Sequence, residues 1–465
     1  MLKIYNSLSR EKQTFQPLKP GHISLYVCGV TVYDYCHIGH ARTYTTFDVI
    51  VRFLRSQGYQ VTYVRNITDI EDKIINRSRE NNESPESLVS RFTKIMHEEF
   101  ASLNLLPPDI EPTATGTIPE IINMIENLIT QGFAYQAKNK DIYYRVRKFN
   151  SYGKLSGQNI ESLQIGARIS PDEDKEDALD FVLWKSAKPG EPSWESPFGP
   201  GRPGWHIECS AMSKKCLGDT FDIHGGGSDL AFPHHENEIA QSMAANNCEF
   251  AKCWIHSGMV QINDEKMSKS LGNFFIIRDV LKQYSPEIVR YFLTASHYRS
   301  QINYSTENLD GAKAALTRFY TAVRNTNPSQ DPKPTEYSKR FVSSMEDDFN
   351  VPEALAVLFD MARDLNKLKN ISPEKSNELA GELIALGNIL GLLNSDPEEF
   401  LQRNNSNNSG GNNLDTPTIE ALIQERIAAK KSKNFVRADT LRQELINQGV
   451  ILEDGPTGTT WRRAQ

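Results

Sequence analysis

The chain of 465 residues has no apolar run long enough to span a membrane. The longest candidate, between Ile384 and Leu393, is interrupted by Gly387, Asn388 and Gly391. It falls short of the roughly 18 apolar residues that a membrane helix needs. The segment from Met1 to Phe15 mixes Lys and Arg with polar residues and lacks the apolar stretch of a secretory signal. We therefore expect a cytoplasmic protein that has no membrane segment.

Cysteine is scarce, with six residues in the whole chain and no CxxC pair. So few cysteines do not form a disulfide framework, and without a secretory signal their thiols are expected to be reduced. Each cysteine is therefore a candidate for metal binding, catalysis or packing. Cys28 and Cys209 are the candidates for a metal site. The other four are assigned to packing: Cys36, Cys216, Cys248 and Cys253.

The chain also lacks an overall positive charge, since 52 basic residues face 59 acidic ones and the net charge is −7. A chain of this kind is not a nucleic-acid binder over its whole surface. The last segment differs, because residues 416–465 hold eight basic and six acidic residues. A locally basic segment on an acidic body can still bind a polyanion.

Hydrophobic periodicity predicts a βαβ unit near the start of the chain. A strand-like run from His22 to Val27 leads through glycines into a helix, and a second strand-like run spans Val61 to Ile67. The helix carries apolar residues at i, i+3, i+4 and i+7: Phe47, Ile50, Val51 and Leu54. Gly58 is expected just after its C-terminus. Strand, helix and strand in this order predict a parallel sheet.

The rest of the chain is divided by changes of composition and periodicity. Residues 1–110 and 205–305 are predicted to form two halves of one α/β domain. Four further segments complete the predicted organisation: an inserted connective segment at 111–204, a helical bundle at 306–402, an Asn/Ser/Gly-rich flexible linker at 403–415, and a small C-terminal domain at 416–465. In the last of these, Thr416 is expected to cap a helix with Pro417 at its first position.

Two short segments carry the signals of a nucleotide site. His37-Ile38-Gly39-His40 lies between the first strand and its helix, where backbone amides and the helix dipole favour phosphate. Lys266-Met267-Ser268-Lys269-Ser270 places two lysines on a loop, a cationic clamp that suits the charge developing on a leaving pyrophosphate. Taken singly, the first is also compatible with two hydrogen-bonded histidines at a surface turn, and the second with solvated surface.

A possible metal site follows from the density of histidine between His206 and His235, where four of the ten histidines lie. On a helix that begins after Pro233, His234 and Glu238 are i and i+4 and share one face. Cys209 is the third expected ligand, and Cys28 at the end of the first strand is the fourth. Two thiolates, an imidazole and a carboxylate suit Zn²⁺. His235 competes with His234 as a ligand, and both cysteines are also compatible with buried packing.

The HIGH and KMSKS segments resemble, without substitution, the two signatures of class I aminoacyl-tRNA synthetases. With the metal constellation, the chain is similar over its whole length to the cysteinyl-tRNA synthetase family. The similarity includes the segments Tyr26–Gly29, Arg65–Asp69, Gly204–Ser210, Leu452–Pro456 and Trp461–Arg463. This resemblance implies an α/β Rossmann-like nucleotide-binding catalytic domain with an inserted connective segment, followed by an α-helical bundle and a small mixed C-terminal domain.

The resemblance also implies a reaction and its participants. The expected activity is ATP-dependent ligation of L-cysteine to tRNA(Cys) through a cysteinyl-adenylate, with Mg²⁺ accompanying ATP. One Zn²⁺ per chain, held by Cys28, Cys209, His234 and Glu238, would select the cysteine thiolate over the hydroxyl of serine. We expect a monomer.

Site residues are assigned by the same resemblance. The catalytic residues are expected to be His37, His40, Lys266 and Lys269. ATP is expected at Gly39, Gly225, Gly226, Gly227, Asp229 and Lys269. Cysteine is expected at Gly29, Thr68 and Trp205. In the C-terminal domain, tRNA contacts are expected from Arg437, Trp461 and Arg462, with Trp461 stacking on an unpaired base and further basic residues such as Arg426 meeting phosphates.

Three other functions remain open from the sequence. A ligase joining cysteine to a small amine would use the same core but would not need the C-terminal segment. An RNA-binding relative without activity would not need intact HIGH, KMSKS and zinc residues. A pyridoxal-phosphate-dependent persulfide activity, attributed to lysines of a KIIK motif, is weakened because the motif reads Lys73-Ile74-Ile75-Asn76 here.

Overall fold

A computed structural model describes residues 1–159, 174–262, 275–403, 414–455 and 458–463, and the backbone of 265–266. The chain forms two compact units. The first contains residues 1–277, 296–303 and 343–351, and the second contains residues 278–295, 304–342 and 352–465. Among the described residues, no helix combines the length and the apolar character needed to cross a membrane.

The first unit is built on a four-stranded sheet in which all neighbouring strands are parallel. Its strands lie in the order Ala251–Ser257, Phe221–Gly227, His22–Thr31 and Gln60–Thr68. Helix Ile38–Ser56 connects the last two. The predicted βαβ unit and parallel sheet are therefore confirmed. Strand Phe221–Gly227 includes the three consecutive glycines Gly225, Gly226 and Gly227.

Helix Ile38–Ser56 packs as its sequence pattern predicts. The side chains at i, i+3, i+4 and i+7 are almost completely buried: Phe47, Ile50, Val51 and Leu54. Gln57 is the C-cap and Gly58 follows with φ +86°, which confirms the expected stop. A left-handed residue after the C-cap is the usual place for glycine.

The pairing of strands His22–Thr31 and Gln60–Thr68 shifts register between Val27 and Val30. Gly29 lies in this shift, and its backbone N–H donates to the Asn66 side-chain oxygen at 2.8 Å. A Cβ on Gly29 would lie only 1.5 Å from the Asn66 carbonyl oxygen. The strands can approach this closely only because residue 29 is glycine.

Smaller sheets and further helices complete the first unit. The predicted inserted segment contains helix Ile118–Thr130 and an antiparallel sheet of Ala134–Gln136, Ile142–Tyr144, Phe181–Ser186 and Gly201–Pro203. The other sheets pair Lys3–Asn6 with Glu11–Thr14, and Val260–Ile262 with Glu265–Lys266 and Ile302–Tyr304. The other helices of this part of the chain are Asp72–Asn81, Pro85–Ser102, Trp205–Leu217, Glu236–Asn246 and Ile277–Leu281.

The second unit is mainly helical and ends in a β-hairpin. The hairpin strands are Val450–Gly455 and Gly458–Arg463. Helix Val351–Leu368 buries Leu355, Leu358, Ala362 and Leu365 on one face, and Phe359 is half-buried. The other helices that begin after residue 281 are Pro286–Thr294, Thr306–Val323, Glu336–Glu346, Pro373–Ile389, Pro397–Gln402, Thr416–Lys431 and Phe435–Asn447.

The start of helix Thr416–Lys431 differs by one residue from the prediction. Asp415, not Thr416, is the N-cap, and its side chain accepts a hydrogen bond from the Thr418 backbone N–H at 3.0 Å. Thr416 is the first helical residue, so Pro417 lies one position later than expected. Aspartate caps at least as well as threonine, so the adjacent acid displaces the expected cap.

Arg324 connects three parts of the second unit. Its guanidinium is 3% exposed and meets both carboxylate oxygens of Glu398, at 2.6 and 2.5 Å. It also donates to the Trp461 carbonyl oxygen at 2.9 Å and lies 3.3 Å from the Glu453 carboxylate. A buried cation with these partners joins the bundle helices to the terminal hairpin.

We predict that Arg324→Ala destabilises the hairpin. Breaking a buried ion pair costs roughly 3–5 kcal/mol, and because Glu398 is part-exposed we expect about 2–3 kcal/mol. Urea unfolding and amide hydrogen exchange at residues 450–463 would measure the loss. Arg403→Ala, which removes an exposed pair with Glu399, should cost below about 0.5 kcal/mol. Equal effects of the two substitutions would contradict this role of Arg324.

Candidate active site

A cavity of about 370 Å³ lies in the first unit, at the carboxyl ends of the parallel strands. The chain leaves the His22–Thr31 strand toward one side of the sheet, and the neighbouring Phe221–Gly227 strand lies on the other side. Ligands of open α/β sheets bind at such switch points. The predicted site residues that line the cavity are Cys28, Gly29, His37, Gly39, His40, Trp205, Gly227 and Asp229.

His37 and His40 form the start of helix Ile38–Ser56. The His37 Nδ1 atom accepts hydrogen bonds from the backbone N–H groups of Gly39 and His40, at 3.1 and 3.3 Å. The His40 Nδ1 atom accepts from the His37 N–H at 3.2 Å, and the two rings stack at 3.6 Å. Because each Nδ1 accepts, the proton of each neutral ring is on Nε2. The Gly39 and His40 amides, which the sequence offers to phosphate, are therefore engaged by the His37 ring, and the catalytic roles predicted for His37 and His40 stay predictions.

The HIGH segment is fixed to the chain that follows the KMSKS segment. The Ile38 N–H donates to the Phe275 carbonyl oxygen at 3.0 Å, and the Ile277 N–H donates to the Cys36 carbonyl oxygen at 2.9 Å. On the other side, the Lys266 backbone pairs with Gln261. The side chain of Lys266 and the whole of Lys269 lie outside the described residues. Their predicted catalytic roles stay predictions.

The four predicted zinc ligands come together in one buried group. One ligand atom from each of Cys28, Cys209, His234 and Glu238 lies within 4.8 Å of the others. The Glu238 Oε1 atom lies 3.1 Å from His234 Nε2 and accepts from the Cys28 thiol at 3.3 Å. Cys28 comes from the register shift in the sheet and Cys209 from helix Trp205–Leu217. This is a donor set that binds Zn²⁺.

The buried side chains of this group shift one another's pKa values. A hydrogen bond from the Cys28 thiol outweighs burial and lowers the pKa of Cys209 to about 6. Burial opposes the charges on Glu238 and His234, but the imidazoles of His224 and His234 hold the pKa of Glu238 well below its usual range. The Glu238 carboxylate raises the pKa of His234 to about 10. Two buried anions therefore depend on positive charge placed among them.

His235 has a hydrogen-bond partner that differs from those of His234. Its Nδ1 atom lies 2.9 Å from His256 Nε2, and burial lowers the pKa of both rings, that of His256 to about 3. His235 does form a second three-membered group with Cys28 and His224. His234 is the ring that stands with the other three predicted ligands.

Two histidines that sequence reasoning left without a role support the ligands. His224 Nε2 lies 2.8 Å from Glu238 Oε2, and His206 Nδ1 lies 3.0 Å from His234 Nδ1. Outer contacts of this kind orient metal ligands. The density of histidine in this part of the sequence was the available signal, but only the fold shows which ring meets which ligand.

The residues predicted to bind cysteine have different environments. The Trp205 ring stacks on His234 with ring centroids 4.3 Å apart, and 36% of the side chain is exposed beside the cavity. Thr68 is buried and does not line the cavity, and its hydroxyl donates to Glu208 at 3.0 Å. Its predicted contact with the amino acid stays a prediction.

Only one of the three consecutive glycines lines the cavity. Gly227 does so, next to Asp229. A Cβ on Gly225 would lie 2.2 Å from the Phe47 ring, and one on Gly226 would lie 2.8 Å from the His235 ring. These two glycines allow side chains of the protein to pack closely on the strand. The predicted approach of ATP to Gly225 and Gly226 stays a prediction.

The predicted tRNA contacts are also partly revised. Trp461 is 3% exposed and packs in the core of the C-terminal domain with Ile419, Leu445 and Val450. Stacking on an unpaired base does not fit this position, since the ring already supplies the core of a small domain. Arg426 is buried against Asp454 at 2.8 Å and is not placed to meet a phosphate.

Arg437 and Arg462 keep part of their surface accessible. Arg437 pairs with Glu425 at 2.8 Å and has 42% of its side chain exposed. Arg462 is 23% exposed and pairs with Glu453 at 2.9 Å. Paired surface arginines can exchange a carboxylate for a phosphate.

Three family models match this chain in sequence. The description "tRNA synthetases class I (C) catalytic domain" fits residues 14–314. A "DALR domain" fits residues 340–394, and "Cysteinyl-tRNA ligase anticodon binding domain" fits residues 416–462. These matches confirm the resemblance carried by the HIGH and KMSKS segments.

Curated relatives match over the full length. The cysteine–tRNA ligase of Idiomarina loihiensis is 57% identical over 465 residues, which is 100% of both chains. That of Thioalkalivibrio sulfidiphilus is 57% identical over 464 residues, again 100% of each chain.

Solved structures share the fold at low sequence identity. Methionyl-tRNA synthetase of Mycobacterium tuberculosis in complex with methionyl-adenylate is 16% identical, with a TM-score of 0.56 over 79% of this chain and 89% of that one. The LeuRS–tRNA–LeuAMS ternary complex of Agrobacterium radiobacter K84 is 11% identical, with a TM-score of 0.57 over 83% and 85%. These neighbours confirm the predicted fold class. The chain therefore belongs to the cysteine–tRNA ligase family of class I aminoacyl-tRNA synthetases.

Proposed function

We propose that this enzyme ligates L-cysteine to tRNA(Cys) with ATP, through a cysteinyl-adenylate, and that a bound zinc ion selects the cysteine thiol. The observation that carries the proposal is the gathering of Cys28, Cys209, His234 and Glu238 beside a cavity that Cys28 lines together with His37 and His40. Amino-acid selection and nucleotide activation then belong to one site.

Zinc fits the donor set and its charge. The lowered pKa of Cys209 favours the thiolate that a metal ligand must supply, and Glu238 is a buried carboxylate. Bound zinc supplies a soft Lewis acid that accepts a thiolate and discriminates against the hydroxyl of serine. Trp205 covers His234 and closes the cavity beside the ligands.

Activation of cysteine requires positioning and charge stabilisation more than a protein nucleophile. The cysteine carboxylate attacks the α-phosphate of ATP in line, and pyrophosphate leaves. The Nε2–H groups of His37 and His40 donate to phosphate oxygens, while Lys266 and Lys269 stabilise the leaving pyrophosphate. Mg²⁺ enters with ATP. Asp229, at the rim of the cavity, binds ribose hydroxyls or the ammonium group of cysteine.

In the second step, the 2′-hydroxyl of the terminal adenosine of tRNA attacks the activated carbonyl. The C-terminal domain recognises the anticodon, with Arg437 and Arg462 at phosphates. The match to the anticodon-binding model supports this role. The enzyme acts as a monomer in the cytoplasm, where its tRNA and ATP are available.

We predict that purified enzyme charges total tRNA with L-cysteine and not with L-serine. The preference should exceed the roughly 150-fold limit of purely hydrophobic discrimination, because a metal–thiolate bond distinguishes the two side chains. Filter assays with labelled amino acids would measure both rates. Comparable charging by serine would exclude zinc selection. Cysteine-dependent ATP–pyrophosphate exchange without tRNA charging would indicate that the acceptor of the cysteinyl group is a small amine and not tRNA.

We predict that the enzyme carries one zinc per chain and that Cys209→Ser loses it. Replacing a thiolate ligand by a hydroxyl should weaken zinc binding more than the roughly 10- to 100-fold loss that follows removal of outer contacts. Elemental analysis after dialysis against a chelator gives the readout. Cys216→Ser, seven residues later on the same helix, is the matched control and should keep its zinc. Unchanged zinc in Cys209→Ser would remove that residue from the ligand set.

We predict that Arg437→Ala weakens tRNA binding and reduces the slope of log affinity against log salt by about one. ATP–pyrophosphate exchange should be unaffected. Glu425→Gln, which frees Arg437 from a carboxylate, should have the opposite effect and strengthen binding. Titrations at several salt concentrations measure both variants. An unchanged slope in Arg437→Ala would show that this side chain meets no phosphate.

A further inference from the structure

The carboxylate of Asp348 lies outside the cavity and connects several segments of the first unit. Asp348 is fully buried. Its Oδ1 atom accepts from the Tyr5 backbone N–H at 2.8 Å and from the Tyr298 hydroxyl at 2.7 Å. Its Oδ2 atom accepts from the Arg299 guanidinium at 2.9 Å and lies 3.5 Å from His297 Nε2. Both oxygens of the carboxylate are thus engaged, mostly by the segment 297–299.

The backbone at Asp348 is held in an uncommon conformation. Asp348 has φ +62° and Phe349 has φ +52°. Two consecutive non-glycine residues in the left-handed region cost free energy and persist only when their surroundings fix them. The Phe349 ring packs edge-on against Phe53 of helix Ile38–Ser56, with centroids 6.1 Å apart. The conformation therefore directs one side chain to segment 297–299 and the next to the helix that carries the HIGH segment.

Segment 297–300 in turn presents its carbonyl groups to Arg42. The Arg42 guanidinium is buried and donates to the carbonyl oxygens of His297, Tyr298 and Ser300, at 2.8, 3.1 and 3.2 Å. Arg42 lies two residues after His40 on the same helix. The position of these carbonyls therefore affects the position of the HIGH turn.

The same segment holds the opposite wall of the cavity. The Gly258 N–H donates to the Tyr298 carbonyl oxygen at 2.7 Å, and the Ile302 N–H donates to the Met259 carbonyl oxygen at 3.0 Å. Gly258 and Met259 both line the cavity. A Cβ on Gly258 would lie 2.2 Å from the Ser300 carbonyl oxygen, so the two backbones are in direct contact.

We propose that Asp348 is a positioning residue for the activation of the amino acid by ATP. It fixes segment 297–300, and that segment holds the HIGH turn through Arg42 and the Gly258–Met259 wall through backbone hydrogen bonds. Asp348 does not line the cavity, so it acts on the nucleotide through these groups. The inference rests on the proposed adenylate chemistry, and it adds a residue of the 343–351 segment to the machinery of that reaction.

The test compares Asp348→Asn with Asp347→Asn in ATP–pyrophosphate exchange. The amide introduced by Asp348→Asn would keep an oxygen for Tyr5 and Tyr298 but would turn its NH₂ group toward Arg299. Asp347 is exposed and pairs with Lys12, which makes it a matched neighbouring control. We expect Asp348→Asn to lower kcat/KM for ATP by about 10- to 100-fold, largely through KM, because small displacements of binding groups have effects of this size. Asp347→Asn should match the wild type within about 2-fold.

The readouts separate positioning from damage to the fold. Rates are normalised to active sites titrated by adenylate formation, and zinc content and KM for cysteine should stay at wild-type values. Tyr298→Phe removes a single hydrogen bond to Asp348 and should show a smaller increase in KM for ATP. If Asp348→Asn does not fold, this variant alone tests whether the Asp348 contacts position the ATP site. A normal KM for ATP in both variants, or a loss only of active sites, would overturn the proposal. Absence of exchange in the wild type would instead refute the proposed function.

Discussion

The close approach of two parallel strands at Gly29 is the constraint on which the site depends. With no side chain at residue 29, the Asn66 backbone lies where a Cβ would be, and the register of the two strands shifts there. That shift interrupts regular pairing beside Cys28, and the chain continues from this strand into the helix that His37 caps. One local feature of the sheet therefore places Cys28, a proposed zinc ligand, and the HIGH histidines at the same carboxyl edge.

Burial strengthens the electrostatic interactions among the ionisable side chains at this edge of the sheet. Cys209 and Glu238 are anionic groups with almost no exposed surface, so they depend on neighbouring positive charge more than surface groups do. His234 meets both, and Trp205 covers its ring. In the function that we propose, such a site recognises a thiol by bonding and not by shape, which is the requirement for separating two amino acids that differ by one atom.

Much of the fold could be predicted from the sequence, because it depends on local patterns, and the four residues predicted to bind zinc do lie together. Periodicity predicted the βαβ unit, and the i, i+4 spacing placed His234 and Glu238 on one face. The contacts formed at long range could not be predicted in this way. Trp461 is an aromatic residue of the kind that stacks on bases, but it packs in the core of a small domain, and the strand at Gly225 packs closely against the Phe47 ring.

The central claim, that a metal bound by Cys28 and Cys209 takes the substrate sulfur, is tested most directly by X-ray absorption at the zinc edge. We predict that the zinc ion has two sulfur neighbours in the free enzyme, supplied by these cysteines. We predict a third sulfur neighbour after addition of L-cysteine, with a zinc–sulfur distance of about 2.3 Å. Addition of L-serine should leave the count at two. An unchanged sulfur count with cysteine would contradict recognition of the substrate through the metal.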